Sequence, residues 1–350
     1  MFLFALHDII NHMKPSADEK VVLTGDRPTG RLHLGHYVGS KQNRIALQDK
    51  YKLSFYMIAD VQALTDNAED PEKVRKNVIE VALDNLAAGL SPEKTTFFIQ
   101  SQIPEIAELT IIFLNLVTLA RLRRNPTVKN EMKQKGFGEN VPVGFLAYPI
   151  SQAADILFCG GNIIPVGEDQ LPVIEQANEI VAKFNAVYGK TFDKIQPVLS
   201  DAPRLVGIDG TAKASKSLGN AIYLSDSYEE IKKKVMMMYT DPSHVHIENP
   251  GKVKGNVVFA YLDIFDQDKK GVAELKREYE KGGLGDVVLK KRLSEVLERT
   301  ISPIRTRREM LAKDPDHVME ILRKGTQKAR AIAKETMNRV RGAVKIDYFK

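Results

Sequence analysis

Short apolar runs of strand length alternate with longer helical patterns along the first part of the chain. The runs at residues 21–25, 53–59 and 96–100 have the length of buried strands. Residues 71–90 lie between the second and third runs and have the pattern of an amphipathic helix that ends at Gly89. Strands that alternate with helices form parallel sheets with right-handed crossovers. The sequence therefore predicts an α/β fold with a doubly wound, Rossmann-like parallel sheet.

The strand signals fade beyond about Leu224, and helical patterns replace them. Four later segments favour helix: residues 227–238, 257–265, 285–312 and 315–344. We therefore expect a loosely ordered leader over residues 1–19, a Rossmann-like catalytic domain over 20–224 and a C-terminal α-helical domain over 225–350. The leader has no small-residue cleavage site, which disfavours a signal peptide.

The composition disfavours two classes of protein. No apolar run reaches the ~18 residues of a membrane span. The single cysteine, Cys159, rules out a disulfide framework, fits a cytoplasmic location and is expected to be a small core residue. The formal net charge is a modest +6, so the distribution of charge matters more than its total.

Basic side chains are concentrated in residues 276–341. They include Arg305, Arg307, Arg308, Arg323, Lys324, Lys328, Arg330, Arg339 and Arg341. Charge alone leaves two interpretations equally open, a nucleic-acid contact and a solvated helix face.

The turn after the first predicted strand has the features of a phosphate site. It reads Thr24-Gly-Asp-Arg-Pro-Thr-Gly-Arg-Leu-His-Leu-Gly-His36 and lacks both the dinucleotide fingerprint and the P-loop pattern. It lies at the carboxyl end of a strand, where doubly wound sheets bind ligands. His33 and His36 can donate hydrogen bonds to phosphate oxygens, and Gly35 leaves the backbone between them accessible. Taken alone, the segment could equally be a turn with two surface histidines.

A second segment, Gly210-Thr-Ala-Lys-Ala-Ser-Lys-Ser-Leu-Gly-Asn220, complements the first. Glycines bound it, and it carries Lys213 and Lys216 with hydroxyl groups beside them. Such a loop can fold over a triphosphate and neutralise the charge that develops on leaving pyrophosphate. In isolation it could be a solvated loop. The two segments together, in this order in an α/β chain, indicate a nucleotide site.

These two segments resemble the H-I-G-H and K-M-S-K-S motifs of class I aminoacyl-tRNA synthetases. Leu34 stands for the isoleucine and Ala214 for the methionine, and neither change removes a catalytic group. Within that class the chain resembles bacterial-type tryptophanyl-tRNA synthetases over about residues 20–350. The likeness rests on Tyr148-Pro-Ile-Ser-Gln-Ala-Ala-Asp-Ile-Leu157, Pro165-Val-Gly-Glu-Asp-Gln170, Tyr239-Thr-Asp-Pro242 and Asn249-Pro-Gly-Lys252.

The helix-like segment that begins at Tyr148 bears on the substrate. Tyr148, Gln152 and Asp155 are spaced to lie on one helix face. A buried Asp155 could accept the indole N–H, which is only a donor, and reject rings that lack it. Without the resemblance, the polar edge of a packed helix would be the preferred interpretation.

Some residues leave tyrosine open as the substrate. Gln152 fits the pattern of tyrosyl enzymes, Gln62 replaces a histidine found in some tryptophanyl enzymes, and Arg27 replaces a glutamine. Against tyrosine, Leu171-Pro-Val follows Gln170 where tyrosyl enzymes have W-G-N. Tryptophan is the better prediction.

The resemblance implies ATP-dependent formation of tryptophanyl-adenylate and transfer of tryptophan to tRNA(Trp), with Mg²⁺ carried by the ATP phosphates and no metal site of the protein's own. It implies catalytic roles for His33, His36, Lys213 and Lys216. It implies ATP binding by Arg27, Pro28, Thr29, Gly35, His36, Gly167, Glu168, Asp169, Leu205, Lys213, Ala214, Ser215, Lys216 and Ser217. It implies tryptophan binding by Tyr148, Gln152, Asp155 and Gln170.

Further expectations follow from the same resemblance. Lys129, in a loop that begins at Asn125, could reach pyrophosphate, although a surface lysine is the simpler interpretation. The basic helices beyond residue 224 would contact tRNA, and the protein would be a cytoplasmic homodimer that binds neither membranes nor DNA. Three alternatives remain: an H-x-G-H nucleotidyltransferase that adenylates a cofactor precursor, a non-catalytic synthetase-like sensor, and a catalytically altered paralogue.

Overall fold

A computed structural model describes residues 19–138, 140–199, 205–216 and 218–349, so the predicted leader lies almost wholly outside the described residues. Five parallel strands form one sheet in the order β3-β2-β1-β4-β5. The strands are β1 (Val21–Asp26), β2 (Leu53–Ile58), β3 (Thr96–Ile99), β4 (Ile163–Val166) and β5 (Gln196–Leu199). The strand order reverses between β1 and β4, which is where doubly wound sheets bind ligands. The predicted fold class is confirmed.

Helices flank the sheet, and further helices follow β5 in the chain. They are α1 (Leu34–His36), α2 (Gln42–Lys50), α3 (Asp60–Asn67), α4 (Pro71–Ala88), α5 (Pro104–Leu114), α6 (Leu119–Arg124), α7 (Pro126–Gln134), α8 (Val143–Leu157), α9 (Leu171–Tyr188), α10 (Tyr228–Met236), α11 (Val257–Phe265), α12 (Lys269–Lys281), α13 (Asp286–Ala312) and α14 (Pro315–Val344). A π-helical stretch, Tyr37–Lys41, joins α1 to α2. Among the described residues, no helix is long and apolar enough to cross a membrane.

Every residue of β2 is buried, as expected for a parallel strand covered on both faces. Such a strand is a nearly continuous apolar run in the sequence, and this made the central strands predictable. α4 ends as predicted, because Gly89 takes a left-handed conformation with φ of 115°. The sequence did not reveal β4, β5 or α12. β5 is short, largely exposed and contains Pro197, and α12 buries only Val272 and Tyr279 on an otherwise polar surface.

The last helix, α14, returns to the sheet and packs against its edge strand. Gly325 makes this possible, because a Cβ there would lie 1.9 Å from the carbonyl oxygen of Phe97. The hydroxyl of Thr326 accepts a hydrogen bond from the N–H of Ile99 at 3.2 Å. This contact covers an edge that would otherwise expose unpaired backbone groups. Ala329 and Met337 belong to the same core as the sheet.

A second hydrophobic core joins the preceding helices, α10 to α13, to the segment that follows β1. Leu32 and Leu34, which flank His33, are buried in it with Ile222 and Leu224. The segment around the predicted phosphate motif is therefore packed between the sheet and the helical region. This placement is what sets the geometry of the site.

Candidate active site

A cleft of about 410 Å³ opens at the carboxyl ends of β1 and β4, a size suited to a small-molecule ligand. Its lining includes these predicted site residues: Arg27, Tyr148, Gln152, Asp155, Gly167 and Gln170. These residues come from three separate stretches of the chain. The fold brings them together because β1 and β4 are neighbours in the sheet.

His33 and His36 cap the short helix α1 with their rings 3.8 Å apart. Nδ1 of His33 accepts a hydrogen bond from the N–H of Gly35 at 3.1 Å, and Nδ1 of His36 accepts one from the N–H of His33 at 3.3 Å. We assign the remaining proton of each ring to Nε2 from these bonds. Each imidazole therefore offers one N–H donor away from the backbone.

Both imidazoles are neutral at pH 7. Burial, followed by the charges of Lys216 and Lys213, lowers the pKa of His33 to about 4. Burial and the neighbouring His33 lower the pKa of His36 to about 2. The pair can therefore donate hydrogen bonds to phosphate oxygens without adding positive charge beside the lysines. Gly35 serves a packing purpose, because a Cβ there would lie 2.9 Å from the ring of His33.

The lysine loop is folded onto the first motif. The Nζ of Lys216 donates to the carbonyl oxygen of Gly30 at 2.6 Å, in the turn after β1. Burial lowers the pKa of Lys216, whereas Lys213 is exposed. The N–H of Ser215 donates to Oδ1 of Asn220 at 2.8 Å, which shapes the loop. Ser217 lies outside the described residues.

The end of the cleft that is predicted to bind tryptophan is built on α8, as the helical spacing predicted. Asp155 is buried, and its Oδ1 accepts a hydrogen bond from Nε2 of Gln100 at 2.7 Å. Its Oδ2 is buried without a hydrogen bond to any described residue. Burial raises the pKa of Asp155 to about 7, although the amides of Gln100 and Gln62 act in the opposite direction. The side chain thus presents one unused acceptor.

Gln100 and Gln62 support Asp155, and sequence reasoning missed this role. The N–H of Gln62 donates to Oε1 of Gln100 at 3.1 Å, and the Nε2 of Gln62 donates to the hydroxyl of Ser151. Gln100 follows β3 directly. Position at the carboxyl end of a predicted strand was the only available signal for it.

The segment after β4 that the resemblance assigns to ATP binding forms a single 3₁₀ turn, Glu168–Gln170. Gly167 and Gln170 line the cleft, whereas Glu168 and Asp169 are exposed. Gly167 is close to Asp169, since a Cβ there would lie 2.6 Å from Oδ1 of Asp169.

Other predicted residues lie at the edge of this arrangement. Leu205 is buried in the second core, and its carbonyl oxygen accepts from the N–H of Ala214 at 3.0 Å. Pro28 is buried and Thr29 exposed in the turn after β1. Lys129 was expected in a loop, which is wrong: it lies exposed on α7, because Asn125 caps that helix and Pro126 starts it.

A charged cluster in the wall of the cleft was also missed, and its members Asp26 and Arg44 line the cleft. Asp26, the last residue of β1, accepts hydrogen bonds from Lys41, from Arg44 at 2.9 Å and from the hydroxyl of Tyr56 at 2.6 Å. Burial alone would raise the pKa of Asp26, but Arg44 and Lys41 hold it well below its usual range. Lys41 is fully buried at the end of the π-helical stretch, a feature frequent at functional sites.

The structure carries no sign of a protein-held metal in the part of the chain that it describes, because no three His, Cys, Asp or Glu side chains there could bind one together. Cys159 is a buried free thiol, as predicted. Burial raises its pKa to about 12, which rules out a thiolate nucleophile near neutral pH.

Several residues of the basic region make hydrogen bonds to other parts of the protein. Arg307 donates to the carbonyl oxygen of Ala87 at 2.7 Å, and Arg308 donates to Oδ1 of Asp84 at 2.6 Å. Arg305 donates to the carbonyl oxygen of Asp226 at 2.8 Å. These three side chains use part of their hydrogen-bonding capacity within the fold, and the RNA contact of the basic region stays a prediction.

Comparisons with known proteins show which family the chain resembles. The model for "tRNA synthetases class I (W and Y)" matches residues 16–302. A "Tryptophan--tRNA ligase" of Lactococcus lactis is 55% identical over 337 residues, which cover 94% of this chain and 98% of the relative. One of Clostridium longisporum is also 55% identical over 337 residues and covers 95% and 98%. The solved tryptophanyl-tRNA synthetase of Campylobacter jejuni, "complexed with ADP and Tryptophane", is 33% identical with a TM-score of 0.83 and covers 93% and 99%.

The fold, the paired phosphate motifs and the family model define the chain as a class I aminoacyl-tRNA synthetase. Within that class it belongs to the tryptophan–tRNA ligase family. The predictions of the family and of the type of enzyme are confirmed.

Proposed function

We propose that the chain activates L-tryptophan with ATP and transfers it to the 3′ end of tRNA(Trp). The observation that carries this proposal is the unused acceptor oxygen of Asp155, buried in a cleft whose lining also includes Asp26 and Arg27, at the start of the segment that leads to His33 and His36. The names of the relatives support the same substrates.

In the first step, a carboxylate oxygen of tryptophan attacks the α-phosphorus of ATP, and the bond to the bridging oxygen of the β-phosphate breaks. Pyrophosphate leaves with the electron pair, and a mixed anhydride remains. Nε2–H of His33 and of His36 donate to phosphate oxygens, and Lys213 and Lys216 neutralise the leaving group. Mg²⁺ enters with the ATP phosphates.

In the second step, a ribose hydroxyl at the 3′ end of tRNA attacks the acyl carbon, and AMP leaves. The protein supplies positioning and charge stabilisation, so that no protein nucleophile is required. The remaining ATP contacts that we propose are Arg27, Pro28, Thr29 and Gly35 around the phosphates, Gly167, Glu168 and Asp169 at the ribose, the backbone near Leu205 at the adenine, and Ala214, Ser215 and Ser217 in the lysine loop.

Hydrogen-bond capacity favours tryptophan over tyrosine at Asp155. One amide N–H of Gln100 is used on Asp155 and one of Gln62 on Ser151, and Oδ2 of Asp155 is left as an acceptor for the ligand. An indole N–H is only a donor and needs nothing more. A phenol hydroxyl also has lone pairs, which would need a donor such as the amide of Gln152.

An analogue of tryptophan in which sulfur replaces the indole nitrogen, β-(3-benzothienyl)alanine, tests this assignment. We expect its kcat/KM in ATP–pyrophosphate exchange to be at least ~100-fold below that of tryptophan, because it leaves the buried acceptor unpaired. Asp155→Ala should narrow that gap to within a few fold. Equal activity of the two amino acids with the unmodified protein would overturn the role of Asp155.

For tRNA, we propose a contact with exposed basic side chains of α12 and α13, such as Lys270, Lys281, Lys291 and Arg299. We keep the predicted domain boundary at residue 224 for this proposal. α14 lies beyond that boundary but packs against the sheet, so it connects the tRNA-binding region to the catalytic domain. The KM for tRNA should rise steeply with salt concentration. A salt-independent KM would contradict this contact.

We further propose a cytoplasmic homodimer. Ile111, Leu114 and Leu119 expose apolar surface near the junction of α5 and α6, which a second copy of the chain could cover. The family resemblance supports the same state. Sedimentation at micromolar concentration should give twice the chain mass of 39.2 kDa, and a monomer there would remove this part of the proposal.

A further inference from the structure

The first phosphate motif is held by its backbone from two sides. On one side it pairs with the segment after the lysine loop: the N–H of Leu34 donates to Ile222 at 2.9 Å, and the N–H of Leu224 donates to Leu32 at 3.0 Å. On the other side the N–H of Leu32 donates to Oδ2 of Asp84 at 2.6 Å. Leu32 directly precedes His33, so this bond fixes the start of the motif.

Asp84 receives its second partner from the helical region. The Nε of Arg308 on α13 donates to Oδ1 of Asp84 at 2.6 Å, across 224 residues of sequence. A second nitrogen of Arg308 contacts Glu80. The side chain of Asp84 is 1% exposed and that of Arg308 is 11% exposed, so solvent screens the pair only weakly.

Arg308 opposes the effect of burial on the pKa of Asp84. Burial raises the pKa of Asp84, and Arg308 is the largest influence in the opposite direction, ahead of the N–H of Leu32. An ionised acceptor makes a shorter and stronger hydrogen bond than a neutral one. Without the guanidinium of Arg308, fewer interactions would offset the cost of burying the Asp84 carboxylate. The side chain would then move or bind a proton. Either change would release the backbone at Leu32.

We propose that Asp84 is a positioning residue for adenylate formation and that Arg308 holds it in place from the helical region. The bond to Leu32 sets the orientation of His33, whose N–H in turn reaches His36. The pairing with Ile222 and Leu224 extends the same constraint to the lysine loop. This inference rests on the proposed roles of the histidines and of Lys216 in the activation step.

Arg308→Lys and Asp84→Asn test the proposal in the full-length protein. We expect Arg308→Lys to lower the kcat of tryptophan-dependent ATP–pyrophosphate exchange about tenfold and to raise the KM for ATP, because a small displacement of catalytic groups costs rate. The KM for tryptophan should stay within about twofold, since Asp155 lies on α8. Direct binding can be followed by the fluorescence of the ligand, because the chain contains no tryptophan.

The chain provides a matched control on the same helix. Arg292, also on α13, pairs at 2.8 Å with Asp266, which is 5% exposed, within the helical region and away from the motif. We expect Arg292→Lys and Asp266→Asn to leave kcat and both KM values near those of the unmodified protein, with a thermal stability similar to that of the test variants.

The double variant separates positioning from general damage. If Asp84 and Arg308 act as one unit, Asp84→Asn combined with Arg308→Lys should be no slower than the worse single variant. Multiplied losses, an unchanged kcat in folded Arg308→Lys, or equal losses in Arg292→Lys would overturn the proposal. An absence of exchange in the unmodified protein would instead overturn the proposed function.

Discussion

The two ends of the cleft are built in different ways. The tryptophan end rests on α8, a helix of 15 residues, supported by two glutamines next to the sheet. The nucleotide end rests on α1, which has three residues, and on two loop segments. Its position depends on partners such as Asp84 and Arg308 that are distant in sequence. One end therefore rests on a long helix braced by residues beside the sheet, and the other rests on short segments held by distant partners.

The electrostatics of the two ends also differ. The tryptophan end holds a buried acid whose pKa is about 7. The nucleotide end holds two imidazoles that stay neutral and a lysine that reaches the turn after β1. Tryptophan binding should therefore depend on pH near neutrality. Catalysis at the nucleotide end should instead be sensitive to loss of a lysine charge and to displacement of the catalytic side chains.

Loss of Lys216 should have the largest effect and should separate the two ends. We expect Lys216→Ala to lower the rate of ATP–pyrophosphate exchange ~100- to 1,000-fold, because a preorganised charge at the leaving group is lost. Binding of tryptophan, followed by ligand fluorescence, should change by less than about threefold. A matching loss of tryptophan binding would show that the two ends are not independent.

Acidification should weaken the tryptophan end by about tenfold. We propose that Asp155 accepts the indole N–H in its ionised form, and with a pKa of about 7 its ionised fraction falls about tenfold between pH 8 and pH 6. We expect kcat/KM for tryptophan at saturating ATP to fall by this factor. The pKa values of about 4 and about 2 for His33 and His36 predict that neither of these two side chains titrates in that range.

Asp155→Asn is the control for this pH dependence. The amide does not titrate, so kcat/KM for tryptophan in this variant should be flat between pH 8 and pH 6. A fall of the same size in the variant would assign the titration to another group.

Gly325→Ala tests whether α14 supports the tryptophan end through β3. The added methyl would meet the carbonyl oxygen of Phe97, and overpacking of this kind destabilises by about 1–3 kcal/mol. Gln100 follows β3, so the KM for tryptophan should rise about two- to threefold while the KM for ATP changes less. Chemical denaturation and pyrophosphate exchange measure the two effects.

Gly342, on the same helix, provides the matched control. The atom nearest to a Cβ built there is a carboxylate oxygen of Asp347 at 3.7 Å, so Gly342→Ala should retain both KM values and full stability. Equal losses in the two variants would mean that the contact with β3 is not responsible.

The same comparison explains what the sequence could reveal. Regular spacing identified β1 to β3, the ends of α4 and the face of α8 that carries Tyr148, Gln152 and Asp155, because these features depend on local periodicity. Motif resemblance located the two phosphate segments. Gln100, Asp84 and Arg308 were not found, since their roles arise from contacts between segments that are far apart in sequence. Lys129 was misplaced because the helix start at Pro126 was interpreted as a loop.

The central claim is that Asp155 makes this cleft a site for tryptophan activation. The most direct measurement is ATP–pyrophosphate exchange with purified protein, with tryptophan and tyrosine compared side by side in the absence of tRNA. The account predicts exchange that depends on tryptophan and is at least ~100-fold weaker with tyrosine. A preference for tyrosine would show that Gln152 rather than Asp155 decides the substrate, and exchange with neither amino acid in folded protein would contradict adenylate formation altogether.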